Sequence, residues 1–162
     1  MSNLLKNLNE MLLMGPGPST VSPTIYEALG RPTLGHLDPR FIEIMDTIKV
    51  QLQTILNTNN ELTVPMSGTG SAGMETCFVN LIEPKDNVLI LINGVFGLRM
   101  QDVASRLGAN VDILEFAWGT PVISEKVKLQ LVEKKYDLVA VVHAETSTGV
   151  VNPIDRIGHL VN

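Results

Sequence analysis

The chain has 162 residues, of which 44% are hydrophobic and 18% charged, with a formal net charge of −5. That is enough apolar material for one folded domain, or a large part of one, and it argues against a disordered chain. The acidic balance argues against broad binding to a nucleic-acid backbone but leaves room for one locally positive anion site.

The N-terminal stretch MSNLLKNLNEMLLMGPGPS does not read as a signal peptide, because Lys6, Asn7, Asn9 and Glu10 interrupt each apolar run. No stretch approaches the ~18 apolar residues of a membrane span, so a soluble, cytoplasmic protein is expected. Residues 15–23, GPGPSTVSP, are too rich in Gly and Pro for a helix. A short helix is predicted over 23–29. Asp38-Pro39 then reads as an N-cap followed by proline at the first helical position. Phe41, Met45, Ile48, Leu52 and Ile55 mark one face of a long amphipathic helix.

ELTVPM (61–66) is a strand candidate. A helix is predicted from Ser71 to about Ile82, stopped by Glu83-Pro84. Its single cysteine, Cys77, excludes an internal disulfide framework. Beside Phe78, Val79 and Leu81 it is expected to be a buried, inert thiol. NVLILIN (87–93) has the continuous apolar run of a strand covered on both faces. Phe96, Met100, Val103 and Leu107 mark the next helix, closed by Gly108. NVDILEF (110–116) is a strand, and residues 124–135 form a helix carrying Val127, Leu131 and Val132. DLVAVVHA (137–144) is another buried strand, and Pro153 opens a final helix still running at Asn162. Strands alternating with helices of this length predict βαβ units and a mostly parallel sheet.

Such sheets bind ligands at the carboxyl ends of their strands, which directs attention to three loops. In VPMSGTGSAGMET (64–76) small residues stand at the start of a helix. The N–H groups there lack intrahelical partners and carry the positive end of the dipole. Glycines let an anion approach the backbone, and Ser and Thr add donors. GTGSAG fits a dinucleotide-type glycine pattern literally, yet Asn93 stands where an acidic residue is usual. A phosphate cradle and an ordinary helix-capping turn both remain open. In NGVFGLR (93–99), Phe96 either starts the core stripe of its helix or offers a ring for stacking. In HAETSTGVVNP (143–153) a His, a Glu and three hydroxyls follow a buried strand. His143 reads as a base, a metal ligand or a hydrogen-bonded loop residue. No second His or Cys lies at metal-ligand spacing, and His36 and His159 are isolated, so no metal is expected.

Taken together and in this order, LLMGPGPSTVSP (12–23), GHLDPRFIEIMD (35–46), SGTGSAGME (67–75), NGVFGLRM (93–100) and VVHAETSTGVVNP (141–153) resemble the class V family of pyridoxal-phosphate-dependent aminotransferases. The likeness is greatest to its alanine–glyoxylate and serine–glyoxylate (serine–pyruvate) branch. The resemblance implies a fold-type I large domain, incomplete here: a three-layer α/β architecture with a mostly parallel sheet and helices on both faces. Residues 1–22 would form a substrate-side segment and residues 23–162 the N-terminal part of that domain. The cofactor implied is pyridoxal 5'-phosphate. Gly68, Thr69, Gly70 and Ser71 would hold its phosphate, Phe96 would stack on its ring, and Thr146 would contact it near the phenolic oxygen. Gly15, Pro16 and Gly17 would close over the substrate, and Gly35 and His36 would pack against the partner of a homodimer. The activity implied moves an amino group from alanine or serine to glyoxylate or a similar 2-oxo acid, without nucleic acid or membrane.

The departure from the family is the missing Schiff-base lysine. None of Lys6, Lys49, Lys85, Lys126, Lys128, Lys134 and Lys135 follows the family's active-site turn. The Asp that pairs with the pyridinium nitrogen and the Arg that holds the substrate carboxylate would follow Asn162. The chain therefore resembles the N-terminal portion of a longer enzyme, and no catalytic residue is assigned in it. A sheet cut there is expected to keep an exposed edge and one uncovered apolar face. Two alternatives stand beside this reading. One is a non-catalytic phosphate- or partner-binding remnant. The other is a different class V enzyme such as a cysteine desulfurase, against which HAETSTG has hydroxyls where asparagines are expected. The 162-residue chain alone is expected to show no alanine–glyoxylate transamination. A coupled assay for pyruvate formation checks this, and measurable turnover would overturn it.

Overall fold

The computed structural model describes residue 9 and residues 11–161. The chain divides into two compact units, Met1–Pro65 and Met66–Asn162, and each is described by itself. Lys6 lies outside the described residues.

In the first unit, helix α1 (Pro23–Leu29) starts at its proline. Helix α2 (Pro39–Ile55) follows its predicted cap: the Asp38 carboxylate accepts from Arg40 N–H at 2.9 Å. Phe41, Met45, Ile48 and Leu52 are half-buried as one face, whereas Ile55 is exposed. The strand predicted over 61–66 does not form. Pro65 has no N–H to give a ladder, and no neighbouring strand pairs with this segment among the described residues. Thr63 is buried instead with its hydroxyl donating to Asn60 O at 2.7 Å, while Leu62 and Val64 stay exposed.

The second unit is built on a central strand. It contains α3 (Gly70–Leu81), β1 (Asn87–Ile92), α4 (Val95–Arg106), β2 (Asn110–Glu115), α5 (Ser124–Glu133), β3 (Leu138–Ala140), β4 (Ala144–Glu145), β5 (Val150–Val151) and α6 (Ile154–Val161). The main sheet has the order β2-β1-β3 and is parallel throughout, with Asn87 opposite Asn110 and Val88 opposite Leu138. Residues 88–92 of β1 are wholly buried, and their alternation divides the core. Val88, Ile90 and Ile92 pack with Phe78 of α3, with Ile82 just beyond it, and with Met100, Val103 and Ala104 of α4. Leu89 and Leu91 point the other way, to Val127 of α5 and Ile157 of α6. Each of these side chains except Ala104 gains roughly 1.5–3 kcal/mol by leaving water. The result is the expected three-layer arrangement. Helices cover both faces over β1, so the single uncovered face expected from the sequence is not seen, while β2 and β3 each leave one edge without a strand.

Three further expectations are corrected. Cys77 is exposed; the residue α3 buries is its neighbour Phe78. Helix α5 stops at Glu133, and Val132 is exposed. The last long strand is short: β3 ends at Ala140, and a separate antiparallel hairpin, β4–β5, follows. The reason lies in Asn152. Its side chain donates to Val142 O at 2.7 Å and its backbone N–H to His143 O at 2.7 Å. Those carbonyls are thereby drawn away from the sheet.

Asn152 belongs to a buried amide pair. Asn93 Nδ2 donates to Asn152 Oδ1 at 2.9 Å and to Thr120 O at 2.9 Å. Asn152 Nδ2 returns a bond to Asn93 Oδ1 at 3.2 Å, and Val122 N–H donates to Asn152 Oδ1 at 2.9 Å. Elsewhere β2 is clipped to the end of α5, where Asp112 accepts from Lys134 Nζ at 2.8 Å and from the Tyr136 hydroxyl at 2.7 Å. These two bonds, Lys134 first, hold the Asp112 carboxyl below its usual range, with burial opposing.

Replacing Asn152 by Ala takes the partner from Asn93 Oδ1, Val122 N–H and Val142 O together. A loss of at least about 2 kcal/mol in urea unfolding is expected, since each buried orphan costs about 1–3 kcal/mol. Asp112 has a depressed folded pKa, so its contribution is present above the ordinary carboxylate value and is lost as pH falls through the folded one. Asp112→Asn is therefore expected to flatten the fall in stability below about pH 4. The effect at neutral pH is small because the pair is partly exposed, and unfolding midpoints measured across the acid range check it.

Candidate functional site

The carboxyl end of β1 runs through Asn93, buried by the amide pair, into Gly94, the N-cap of α4. Gly94 is needed for space. A Cβ there would stand 2.4 Å from both Cγ and Cδ of Glu145. Gly97 has a similar reason, since its Cβ would lie 3.0 Å from Ile92 Cα. The first turn of α4 therefore sits tightly on the strand end. Met100, Val103 and Ala104 face the sheet, but Phe96 belongs to neither core cluster and is 38% exposed. The core-stripe reading of Phe96 does not hold.

The second loop is the β4–β5 hairpin. Thr148 N–H and Gly149 N–H donate to Glu145 O at 3.1 and 2.8 Å, and Gly149 takes the left-handed conformation the turn requires (φ 74°). Glu145 is wholly buried. Its Oε1 accepts from Ser147 N–H at 3.2 Å and from the Ser147 hydroxyl. That hydroxyl in turn accepts from Val95 N–H at 3.0 Å. The loops around Phe96 and Thr146 are thus in direct contact. Thr146, next to Glu145, is exposed, and so is His143.

The third loop precedes α3. Thr69 is the N-cap, and its hydroxyl accepts from Ala72 N–H at 3.3 Å, leaving its own proton free to donate outward. Nothing lies within 4 Å of a Cβ built on Gly70, whereas Gly68 has Ala72 Cβ at 3.0 Å. Gly68, Thr69 and Gly70 are exposed and Ser71 is half-buried. Helix α3 is joined to β1 by a short turn, and Met74, Phe78 and Ile82 pack in the core cluster that holds Val88, Ile90 and Ile92.

An open helix terminus, an accessible aromatic ring and an exposed hydroxyl together fit a phosphorylated, flat, heteroaromatic cofactor. No lysine stands on these three loops. Lys85 precedes β1 at the sheet's other end, Lys134 is paired with Asp112, and Lys126 lies 6.0 Å from the Phe116 ring centre. Among the described residues no cluster of three or more His, Cys, Asp or Glu could hold a metal. Gly15, Pro16 and Gly17 lie exposed in irregular chain of the first unit, and Gly35 and His36 in the exposed turn before α2. The sequence reading passed over Gly94, Glu145, Ser147 and Asn152. A lone Glu within a polar run was the available signal, and nothing local shows that it is buried.

The class-V aminotransferase family model matches residues 23–162. The chain is 40% identical over 146 residues to the (S)-ureidoglycine–glyoxylate transaminase of Bacillus subtilis, covering 90% of the chain and 35% of that protein. It is 39% identical to mouse alanine–glyoxylate aminotransferase, covering 92% of the chain and 36% of that protein. The solved structure of an alanine–glyoxylate aminotransferase from Nostoc superposes with a TM-score of 0.87 at 38% identity, over 96% of the chain and 42% of that structure. The chain thus spans roughly two fifths or less of each protein it matches. The fold is that of the large domain of fold-type I pyridoxal-phosphate transferases, represented in part. The described residues contain no helix long and apolar enough to cross a membrane. On this match and on these loops, the chain belongs to the class-V aminotransferases, the family whose cofactor is pyridoxal 5'-phosphate.

Proposed function

We propose that this chain is the cofactor-phosphate half of a transaminase that moves an amino group from alanine or serine to glyoxylate or a similar 2-oxo acid. One observation supports the reading: the loops that carry the exposed Phe96 ring and Thr146 touch through Ser147 at the carboxyl end of β1, and the start of α3 is open beside Gly70. The N–H groups at Gly70 and Ser71, with the Thr69 and Ser71 hydroxyls, bind the phosphate, and Gly68 and Gly70 let it approach the backbone. The open space at Gly70 supports this role. Phe96 supplies the stacking face and Thr146 a polar contact at the ring's edge. When bound, the cofactor supplies an electron sink; the chain's own residues bind it and fix its plane.

Glyoxylate is the acceptor named for relatives with different donors, which supports the acceptor more strongly than either donor. Gly15, Pro16 and Gly17 form the substrate-side segment within residues 1–22. The working state is a cytoplasmic homodimer, with Gly35 and His36 against the partner. The lack of a lysine on the three loops favours a second reading for the chain taken alone, a non-catalytic phosphate-binding unit.

The test uses a protein that carries this chain together with the Schiff-base lysine the family's chemistry requires. Phe96→Ala is expected to raise the dissociation constant for pyridoxal phosphate by about three- to tenfold, from the usual worth of a stacked ring. Ser71→Ala is expected to weaken pyridoxal phosphate but not phosphate-free pyridoxal. Absorbance titration reads both effects, and unchanged affinity in both variants would sink the assignment.

A further inference from the structure

Glu145 is the buried titratable group for which the proposed chemistry has no use. It is fully enclosed, and its Oε2 has no hydrogen-bond partner among the described residues. Placing a carboxyl group in a core is costly without compensation. Here the compensation is local: two donors from Ser147 on Oε1, and the start of the 12-residue helix α4 beside it, where the dipole favours negative charge. The contact with Gly94 is too close for any side chain at that position.

Phe96 lies two residues beyond Gly94 and packs in neither core cluster. Its ring is 38% exposed, so the backbone of the first turn of α4 has a large share in setting its direction. That turn is tied down at Val95 N–H by the Ser147 hydroxyl, which itself is held by Glu145. Thr146 sits between Glu145 and Ser147 in the chain, inside the same clasp.

We propose that Glu145 is a positioning residue of the cofactor site: through Ser147 it clamps the start of α4 to the β4–β5 hairpin, and so holds the Phe96 ring and the Thr146 hydroxyl in one fixed relation. This rests on the reading of Phe96 and Thr146 as cofactor-facing. Glu145 acts through its acceptor oxygen and takes part in no proton transfer.

The experiment follows two readouts in the intact protein, amide exchange at Val95 without cofactor and titration with pyridoxal phosphate. Ser147→Ala and Glu145→Ala are expected to speed Val95 exchange about tenfold and to raise the cofactor's dissociation constant about fivefold, with a weaker visible circular dichroism of the bound cofactor. Ser147→Thr and Glu145→Gln keep the hydroxyl and the acceptor, and are expected to restore both readouts. Ser147 is exposed, so its variants fold even where Glu145→Ala does not. In a Phe96→Ala background, Ser147→Ala should cost clearly less affinity than in the parent, only the share carried by Thr146, an outcome that general destabilisation would not give. Unchanged Val95 exchange in Ser147→Ala, or fully additive losses in the double variant, overturns the proposal. If Phe96→Ala alone leaves affinity unchanged while Val95 exchange still responds, the clasp exists but the stacking role fails, and the inference built on it falls with it.

Discussion

The reciprocal bond between Asn93 and Asn152 is the constraint on which the functional edge depends. Two carboxamides 59 positions apart in sequence exchange hydrogen bonds in the core. Each has donors and acceptors to spare, and these reach Thr120 O, Val122 N–H and Val142 O. Four segments meet there: the end of β1, the 117–122 loop, the chain beyond β3 and the approach to α6. An apolar pair could fill the same space but could not fix direction. An unmatched buried amide costs far more than a matched one gains, so the loops have one arrangement that satisfies every group.

That arrangement brings the β4–β5 hairpin against the start of α4. The consequences are steric first. Gly94 has no room for a side chain because Glu145 occupies it, and Ser147 closes the gap with one hydroxyl that donates to Glu145 and accepts from Val95. Phe96 is left outside the core, on a turn that cannot easily swing. The cradle proposed at the start of α3 would work by the opposite means. Gly70 leaves space open, and the donors would be the unpaired groups of a helix start. A stiff platform and an open anion site are complementary demands of one flat, phosphorylated ligand. The amine that would complete such a site is not among the lysines of these loops, in keeping with a chain that spans about a third to two fifths of its relatives' length.

Much of this was legible from residue order. The run 87–93 reads as a strand buried on both faces because no polar residue interrupts it until Asn93, and Asp38-Pro39 marks a helix start by its own chemistry. The loops could be located because parallel sheets present ligands at one edge. The errors share a cause. ELTVPM has the residues of a strand, but a strand exists only where another backbone pairs with it. DLVAVVHA reads as one strand, yet Asn152, far along the chain, takes the carbonyls of Val142 and His143. Cys77 and Phe78 are adjacent and both of types often buried, and only the face that α3 turns to the core decides which of them is buried.

By itself the sequence determined the helices, the strands β1 and β2, the parallel sheet and the strand-to-helix loops where a ligand is expected, because periodicity, caps and glycine positions are local properties. The tertiary structure alone decided that Glu145 is buried, that Ser147 ties the hairpin to α4, that Phe96 lies outside the core and that β3 ends early. Each of these depends on which groups, distant in the chain, compete for the same hydrogen bond or the same space.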